Sequence, residues 1–331
     1  MNATDPASPN IERLLAALHH EKLDRVPNLE ATINAPVCSH LLGRPVDRGL
    51  WGVEPEDAVR IAQRAGQDAV YCSLTWGVGQ ASLLGEEDVD AIRPPDPLLA
   101  RERIQAYVDA AAGTGVGVIA RVSGPLTLTY MAIGPVPIQS FMLELYDRLD
   151  MVERLMDLFV DYHVSVIDAI SDMPYHLYYI GDDVSSTTGP LISPEHIARL
   201  WAPRTERLVR AALGTGRPVI FHCCGMQSPI LPYLAEWGVN AVHPLQPVAN
   251  DIYAIHREYG SRLTLIGNMD VAGVLTFGTP DEVRRDTREH IERLAGDGGY
   301  VVCSSHSIID SVPPENYLAM VEAAREYGRY D

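Results

Sequence analysis

Eight short apolar runs alternate along this chain with stretches of helical periodicity, and no other feature limits its possible folds as tightly. The runs cover residues 26–32, 69–75, 116–122, 177–180, 218–224, 241–245, 263–267 and 300–303. Most are near-continuous in Val, Ile, Leu, Tyr and Ala instead of alternating apolar with polar, the pattern of strands buried on both faces of a parallel sheet. Helical patterns at 54–65, 97–112, 150–171 and 194–213 fall between them, with Gly113-Thr-Gly115 and Ser123-Gly-Pro125 as stops. Parallel strands joined by helices can form an open doubly wound sheet or close into a barrel. The open sheet carries a glycine-rich phosphate turn after its first strand, and residues 26–36 hold no glycine. The expected architecture is therefore α/β, a single (β/α)8 TIM-type barrel over residues 11–331 with an N-terminal helical extension at 11–20. Residues 1–10, mostly Pro, Ser, Asn and Asp, are expected to form a mobile arm ahead of it.

Charge narrows the partners. Lys plus Arg number 26 against 44 Asp plus Glu, a formal net charge of -18. Nucleic acid and anionic membrane surfaces are poor partners for such a chain. No apolar run approaches the length of a membrane span, and Met1-Asn-Ala-Thr-Asp-Pro6 shows no basic-then-apolar leader, so a cytoplasmic protein is expected. The five cysteines, Cys38, Cys72, Cys223, Cys224 and Cys303, are odd in number and scattered, unlike a disulfide framework. Reduced thiols remain free for a metal.

In a barrel of this kind, side chains at the C-terminal strand ends converge on one mouth. The first predicted strand offers Glu30 and Asn34, the third Arg121 and Ser123, and the fourth Tyr179, Asp182 and Asp183. The fifth offers His222 and Cys224, the sixth His243 and Gln246, the seventh Asn268 and Asp270, and the eighth Cys303 followed by His306. Taken singly these have ordinary structural uses, since Asp or Asn after a strand often caps a helix. His222 and Cys224 are different. In Pro218-Val-Ile-Phe-His-Cys-Cys-Gly225 they stand two apart on a strand and so share a face, and imidazole with thiolate is a pair that zinc favours. Cys303 and His306 lie near the end of a strand three places round the ring, and three of these four groups would make a zinc site with an open position. Cys223 points the other way, towards the helix layer.

Several longer stretches, Gly181-Asp-Asp183 through Gly189-Pro-Leu-Ile-Ser-Pro-Glu195, Phe221-His-Cys-Cys-Gly225, Ile266-Gly-Asn-Met-Asp270, Gly299-Tyr-Val-Val-Cys-Ser-Ser-His-Ser-Ile308 and Pro314-Glu-Asn-Tyr-Leu-Ala-Met-Val-Glu-Ala323, resemble the uroporphyrinogen decarboxylase superfamily. The resemblance implies a single TIM-type barrel and two kinds of enzyme, metal-free porphyrinogen decarboxylases and zinc methyltransferases that exchange methyl groups with a corrinoid protein. The decarboxylases carry an arginine-rich segment near the N-terminus that holds the substrate's carboxylates. Here that region reads Leu29-Glu-Ala-Thr-Ile-Asn-Ala-Pro36, with a carboxylate in place of cations. The methyltransferases carry His-x-Cys-Gly at the fifth strand, matched by His222-Cys-Cys-Gly225. Their third ligand is a cysteine in a Gly-Cys-Gly-Ile turn; in this register that position is His306, with Cys303 three residues earlier, and both stay open as the third ligand.

The resemblance thus implies a zinc-dependent methyltransferase moving a methyl group between a small molecule and a corrinoid (cobalamin), either free as a cofactor or carried on a small corrinoid-binding partner protein. His222, Cys224 and His306 or Cys303 would hold zinc. Asp182, Asp183 and Glu30 would orient substrate or donate a proton, and Tyr179, Arg121, Asn268, Asp270 and His243 would contact it. Two other readings compete: a decarboxylase-like lyase acting on a smaller carboxylated substrate, and a non-catalytic metal- or tetrapyrrole-binding subunit.

Overall fold

The computed structural model of the chain describes residues 8–79 and 86–330; residues 1–7 of the expected arm lie outside the described residues. Seven parallel strands, β1 (Ala69–Ser73), β2 (Gly117–Ser123), β3 (Leu177–Gly181), β6 (Val219–His222), β7 (Ala241–His243), β8 (Thr264–Ile266) and β9 (Tyr300–Val301), form one sheet in chain order. Between β3 and β6 a short antiparallel hairpin pairs β4 (Ser185–Ser186) with β5 (Gly189–Pro190). Each strand of the main sheet is parallel to the next, and helices such as Pro55–Ala65, Leu99–Ala111, Leu149–Ile170 and Ala202–Leu213 form the crossovers.

The first predicted strand takes a less regular form. Residues 26–33 bridge the two edges of the sheet without forming a ladder. The Leu29 N–H donates to Val302 O at 3.1 Å, Val302 N–H to Pro27 O at 3.0 Å, and Asp68 N–H to Asn28 O at 3.0 Å. Pro27 explains the irregularity, because a residue with no N–H cannot continue a ladder. The ring is closed all the same, as the eight-run pattern requires.

Strand alternation sorts the interior. Ala69, Tyr71, Ile119, Leu177, Tyr179, Ile220, Ala241, Ile266, Val301 and Cys303 form the inner cluster, while Val70, Cys72, Val118, Tyr178, Phe221, Cys223 and Val242 pack outward against the helices. The N-terminal helix Ile11–Leu18 plugs the barrel floor. Its Leu14, Ala17 and Leu18 join the inner cluster, and Thr264 Oγ1 donates to Ala17 O at 2.7 Å. With the floor filled, the inward parity that runs through Ile119, Leu177 and Ile220 continues upward to Arg121, Tyr179 and His222, which is why polar groups at those positions meet at the mouth. Among the described residues no helix is long and apolar enough to cross a membrane.

Candidate metal centre at the barrel mouth

The end of β6 builds the centre of the mouth. In register, His222 lies beside Gly181 of β3 on one side and His243 of β7 on the other. Just beyond, Cys224 is followed by Gly225 at φ +75°, where a side chain would collide with the Ser186 carbonyl oxygen at 2.3 Å; glycine lets the chain turn there under the hairpin. One ligand atom from each of Asp183, His222 and Cys224 lies within 4.8 Å of the others. His222 Nε2 is 3.4 Å from Asp183 Oδ1 and 3.4 Å from Cys224 Sγ, and the Cys224 N–H donates to Asp183 Oδ1 at 2.9 Å. Burial alone would raise the Asp183 pKa, but the bonds from His222 and Cys224 outweigh it and hold the carboxyl well below its usual range. Burial, with the Asp183 charge behind it, pushes the Cys224 thiol up. A carboxylate, an imidazole nitrogen and a thiol gathered so closely are a donor set that suits zinc, and a cation would relieve the cost of ionising Cys224.

These groups open on a pocket of about 240 Å³ whose walls include Trp51, Arg121, Ser123, Thr127, Tyr179 and His306. Arg121 is the cation of that wall. Its Nη1 makes long bonds to Ser73 Oγ (3.3 Å) and Thr75 Oγ1 (3.4 Å), its guanidinium lies 4.4 Å from the Trp51 ring centre, and its Nε is buried with no hydrogen-bond partner. No carboxylate of the described residues forms an ion pair with it. Burial lowers the Arg121 pKa and the nearby Asp183 charge works against that, so the half-buried guanidinium has a carboxylate in its field but none bonded to it, and an anion in the pocket would be favoured.

The remaining predicted site residues divide between the wall and the layers behind it. Asp182 is fully buried and turns away from the pocket. It accepts from Leu126 N–H (3.3 Å) and Thr127 N–H (2.7 Å) at the start of helix Pro125–Ala132, and from Trp201 Nε1–H at 3.0 Å. Burial raises its pKa to about 6 despite those donors. Asp182→Ala should therefore cost about 3 kcal/mol of stability through three stranded donors. Thermal unfolding should register the loss while metal content stays unchanged.

Glu30, His243 and Cys303 lie one layer below the pocket. Glu30, with no exposed surface, has its pKa raised by burial to about 8 against the bonds it accepts from Ser304 and Cys303. His243 is 1% exposed and touches His222, and Cys303 is enclosed between Glu30 and His243. Asn268 bonds outward to His290 Nε2 at 3.1 Å, and Asp270 caps Ala272 N–H at 3.0 Å beside an acidic cleft shared with Asp286 and Glu289. Neither lines the pocket of His222. Sequence reasoning passed over Trp51 and Thr127. Trp51 comes from a short 3-10 turn, Leu50–Gly52, which has no periodicity to betray it. Thr127 was signalled weakly, as the hydroxyl residue in the first turn of a Pro-initiated helix after Gly124.

Residues 55–327 match the family described as Uroporphyrinogen decarboxylase (URO-D). A methylated-thiol--coenzyme M methyltransferase of Methanosarcina mazei is 29% identical over 47% of this chain, a match spanning 40% of that protein. The methylcobamide:CoM methyltransferase MtbA of the same organism is 26% identical over 96% of this chain and 97% of its own length. A uroporphyrinogen decarboxylase of Methylococcus capsulatus is also 26% identical, over 73% of this chain and 69% of its own. Among solved structures, a methyltransferase from Methanosarcina mazei superimposes over 97% of this chain and 99% of its own, with TM-score 0.74 and 21% identity, a likeness of fold.

Proposed function

The chain belongs to the uroporphyrinogen decarboxylase family, and we propose that it is a zinc-dependent methyltransferase that exchanges a methyl group between a small anionic molecule and a corrinoid, free or carried by a partner protein. The observation that carries this reading is the convergence of Asp183, His222 and Cys224 within 4.8 Å at the floor of the mouth. These three residues would hold the metal. His306, where the resemblance puts the third ligand, lines the same pocket. Cys303 is set aside because its sulfur is enclosed by Glu30 and His243 behind the wall. Bound zinc supplies Lewis acidity, which lowers the pKa of a coordinated thiol or polarises a carbon–oxygen bond.

The chain's own residues do the rest. Asp183 restrains both His222 and the Cys224 backbone through its Oδ1. Arg121, with the hydroxyls of Ser73, Thr75 and Ser123 beside it, offers a seat for the substrate's anionic end, and Trp51 shields that seat from water. The volume supports a small substrate. About 240 Å³ is below the roughly 300–1,000 Å³ of drug-sized sites, so a tetrapyrrole stays outside and meets the substrate at the opening. One guanidinium in so small a pocket also suits a single anionic group and not the several carboxylates of a porphyrinogen. The free state of all five cysteines accords with a cytoplasmic setting.

The test is metal analysis followed by turnover. Protein purified without chelator should carry about one zinc per chain and should demethylate methylcob(III)alamin with a short anionic thiol as acceptor. A protein that neither holds nor takes up zinc, and that leaves methylcob(III)alamin intact with every thiol offered, would refute the assignment.

A further inference from the structure

Cys224 lies past the end of β6, where no strand ladder holds its backbone, yet the turn around it is closely held. Three carboxamides do most of the holding. Gln227, ahead of helix Leu231–Trp237, donates from Nε2 to two carbonyls, Cys223 O at 2.7 Å and His243 O at 2.8 Å. Gln246, in the segment after β7, accepts from the Gly225 N–H through its Oε1 at 2.6 Å. Asn250 donates from Nδ2 to Gly225 O at 2.9 Å and to Gln246 O at 3.0 Å, and its Oδ1 accepts from the Gln227 N–H at 2.9 Å. The polarity of every contact is fixed by the backbone group it meets, since a carbonyl only accepts and an amide N–H only donates. Gln227 and Asn250 are buried, and Gln227 Oε1 has no partner among the described residues, so that carboxamide is committed wholly to donation into the turn.

From this arrangement we propose that Gln227, Gln246 and Asn250 are positioning residues for the metal centre, a clamp of carboxamides that fixes the backbone on both sides of Cys224 and so holds its sulfur beside His222 and Asp183. The two ligand-bearing positions differ in what they need. His222 is the last residue of β6 and is held by its register with Gly181 and His243 on either side. Cys224 has left the sheet, and Gly225 at φ +75° turns the chain sharply just after it. In place of a ladder, the Cys223 carbonyl, the Gly225 N–H and the Gly225 carbonyl each meet one carboxamide, while the Cys224 N–H meets Asp183. The Gln227 bond to His243 O also ties the turn to β7, so the thiol and the neighbouring strand keep one fixed relation. A ligand ordered in advance spares the metal the entropic cost of ordering it on binding. The clamp's effect on metal rests on the zinc reading; its hold on the turn does not.

Matched variants test the clamp. Gln246→Met and Gln227→Met keep side-chain length and remove the hydrogen bonds, while Gln246→Glu keeps an acceptor for the Gly225 N–H. Asn316→Leu is the control: Asn316 is another buried carboxamide that bridges two carbonyls, Leu275 O at 3.0 Å and Gly278 O at 2.8 Å, but it lines no part of the pocket. Cobalt(II) in place of zinc gives a near-ultraviolet thiolate-to-cobalt absorption that reports the bond from Cys224 Sγ. In both Met variants zinc affinity should weaken roughly tenfold or more and that absorption should shift or fade, whereas Gln246→Glu should keep the wild-type band. Asn316→Leu should lower the unfolding temperature and leave the metal alone. In zinc-free protein, hydrogen exchange at the Gly225 N–H should run about tenfold faster in Gln246→Met than in the wild type or Gln246→Glu. Wild-type zinc affinity and cobalt absorption in Gln246→Met would overturn the proposal, even where Gln227→Met does not fold, and so would an equal loss of zinc in Asn316→Leu. If the wild type takes up neither metal, the zinc reading fails and the exchange rates still decide the clamp: the same rate in Gln246→Met as in the wild type would overturn it.

Discussion

Cys224→Ala is expected to lose more than about 100-fold in zinc affinity and to stop methyl transfer, with the fold intact. Removing a thiolate ligand should exceed the roughly 10- to 100-fold cost of losing an outer-layer partner. Cys224 lies past the last residue of β6 and is partly exposed, so the substitution leaves little cavity behind. Metal content after dialysis, measured beside unfolding temperature, separates ligand loss from misfolding. Asp183→Ala should approach the same loss, and His306→Ala should lose less, because the Asp183 carboxylate and not the His306 ring belongs to the tight group around His222 and Cys224. The reverse order would return the third ligand to His306. Acidity provides a second check. Burial and then Asp183 raise the Cys224 pKa, and that proton must leave when metal enters. Zinc affinity should therefore climb with pH across neutrality, by up to about tenfold per unit for one displaced proton, and the slope should disappear in Cys224→Ala.

The second large effect concerns Arg121. Arg121→Met keeps most of the side chain's length and its packing against Trp51 while removing the charge. Losing one member of a buried, hydrogen-bonded charge pair costs about 2–5 kcal/mol, so kcat/KM for an anionic thiol should drop by about 30-fold at the least. A neutral thiol of the same size should react equally well with both proteins, and zinc content should not change. The comparison is informative because no carboxylate of the described residues is bonded to this guanidinium: its direct contacts are two long bonds to hydroxyls and one aromatic face, and Asp183 acts on it only through space. If wild type and Arg121→Met show the same preference between anionic and neutral thiols, the charge serves the fold and the substrate is not an anion bound there.

Much of this was legible in the sequence. The eight apolar runs imposed a parallel ring, and residues two apart on a strand had to share a face, so His222 and Cys224 were bound to appear together wherever the strand ended. That reasoning needs only neighbours along one chain segment. Which side chains from different strands meet is another matter, since it depends on the stagger of strands around the closed barrel and on where each strand yields to a turn. Asp182 and Asp183 show the limit. They are adjacent and chemically alike, yet one caps helix Pro125–Ala132 beneath the indole of Trp201 and the other joins His222 and Cys224 at the pocket. Trp201 itself sits at the end of a π-helical turn, Ile197–Trp201, inside a stretch whose sequence reads as plain helix. On paper His306 matched the register of the third ligand and Cys303 stayed open beside it. Only the tertiary structure put the thiol beneath His243, in the dry interior beside Glu30, and the imidazole three residues later at the pocket wall, because the chain leaves the strand after Val301 and bends at Ser305 and His306, so strand alternation no longer sets which way His306 faces.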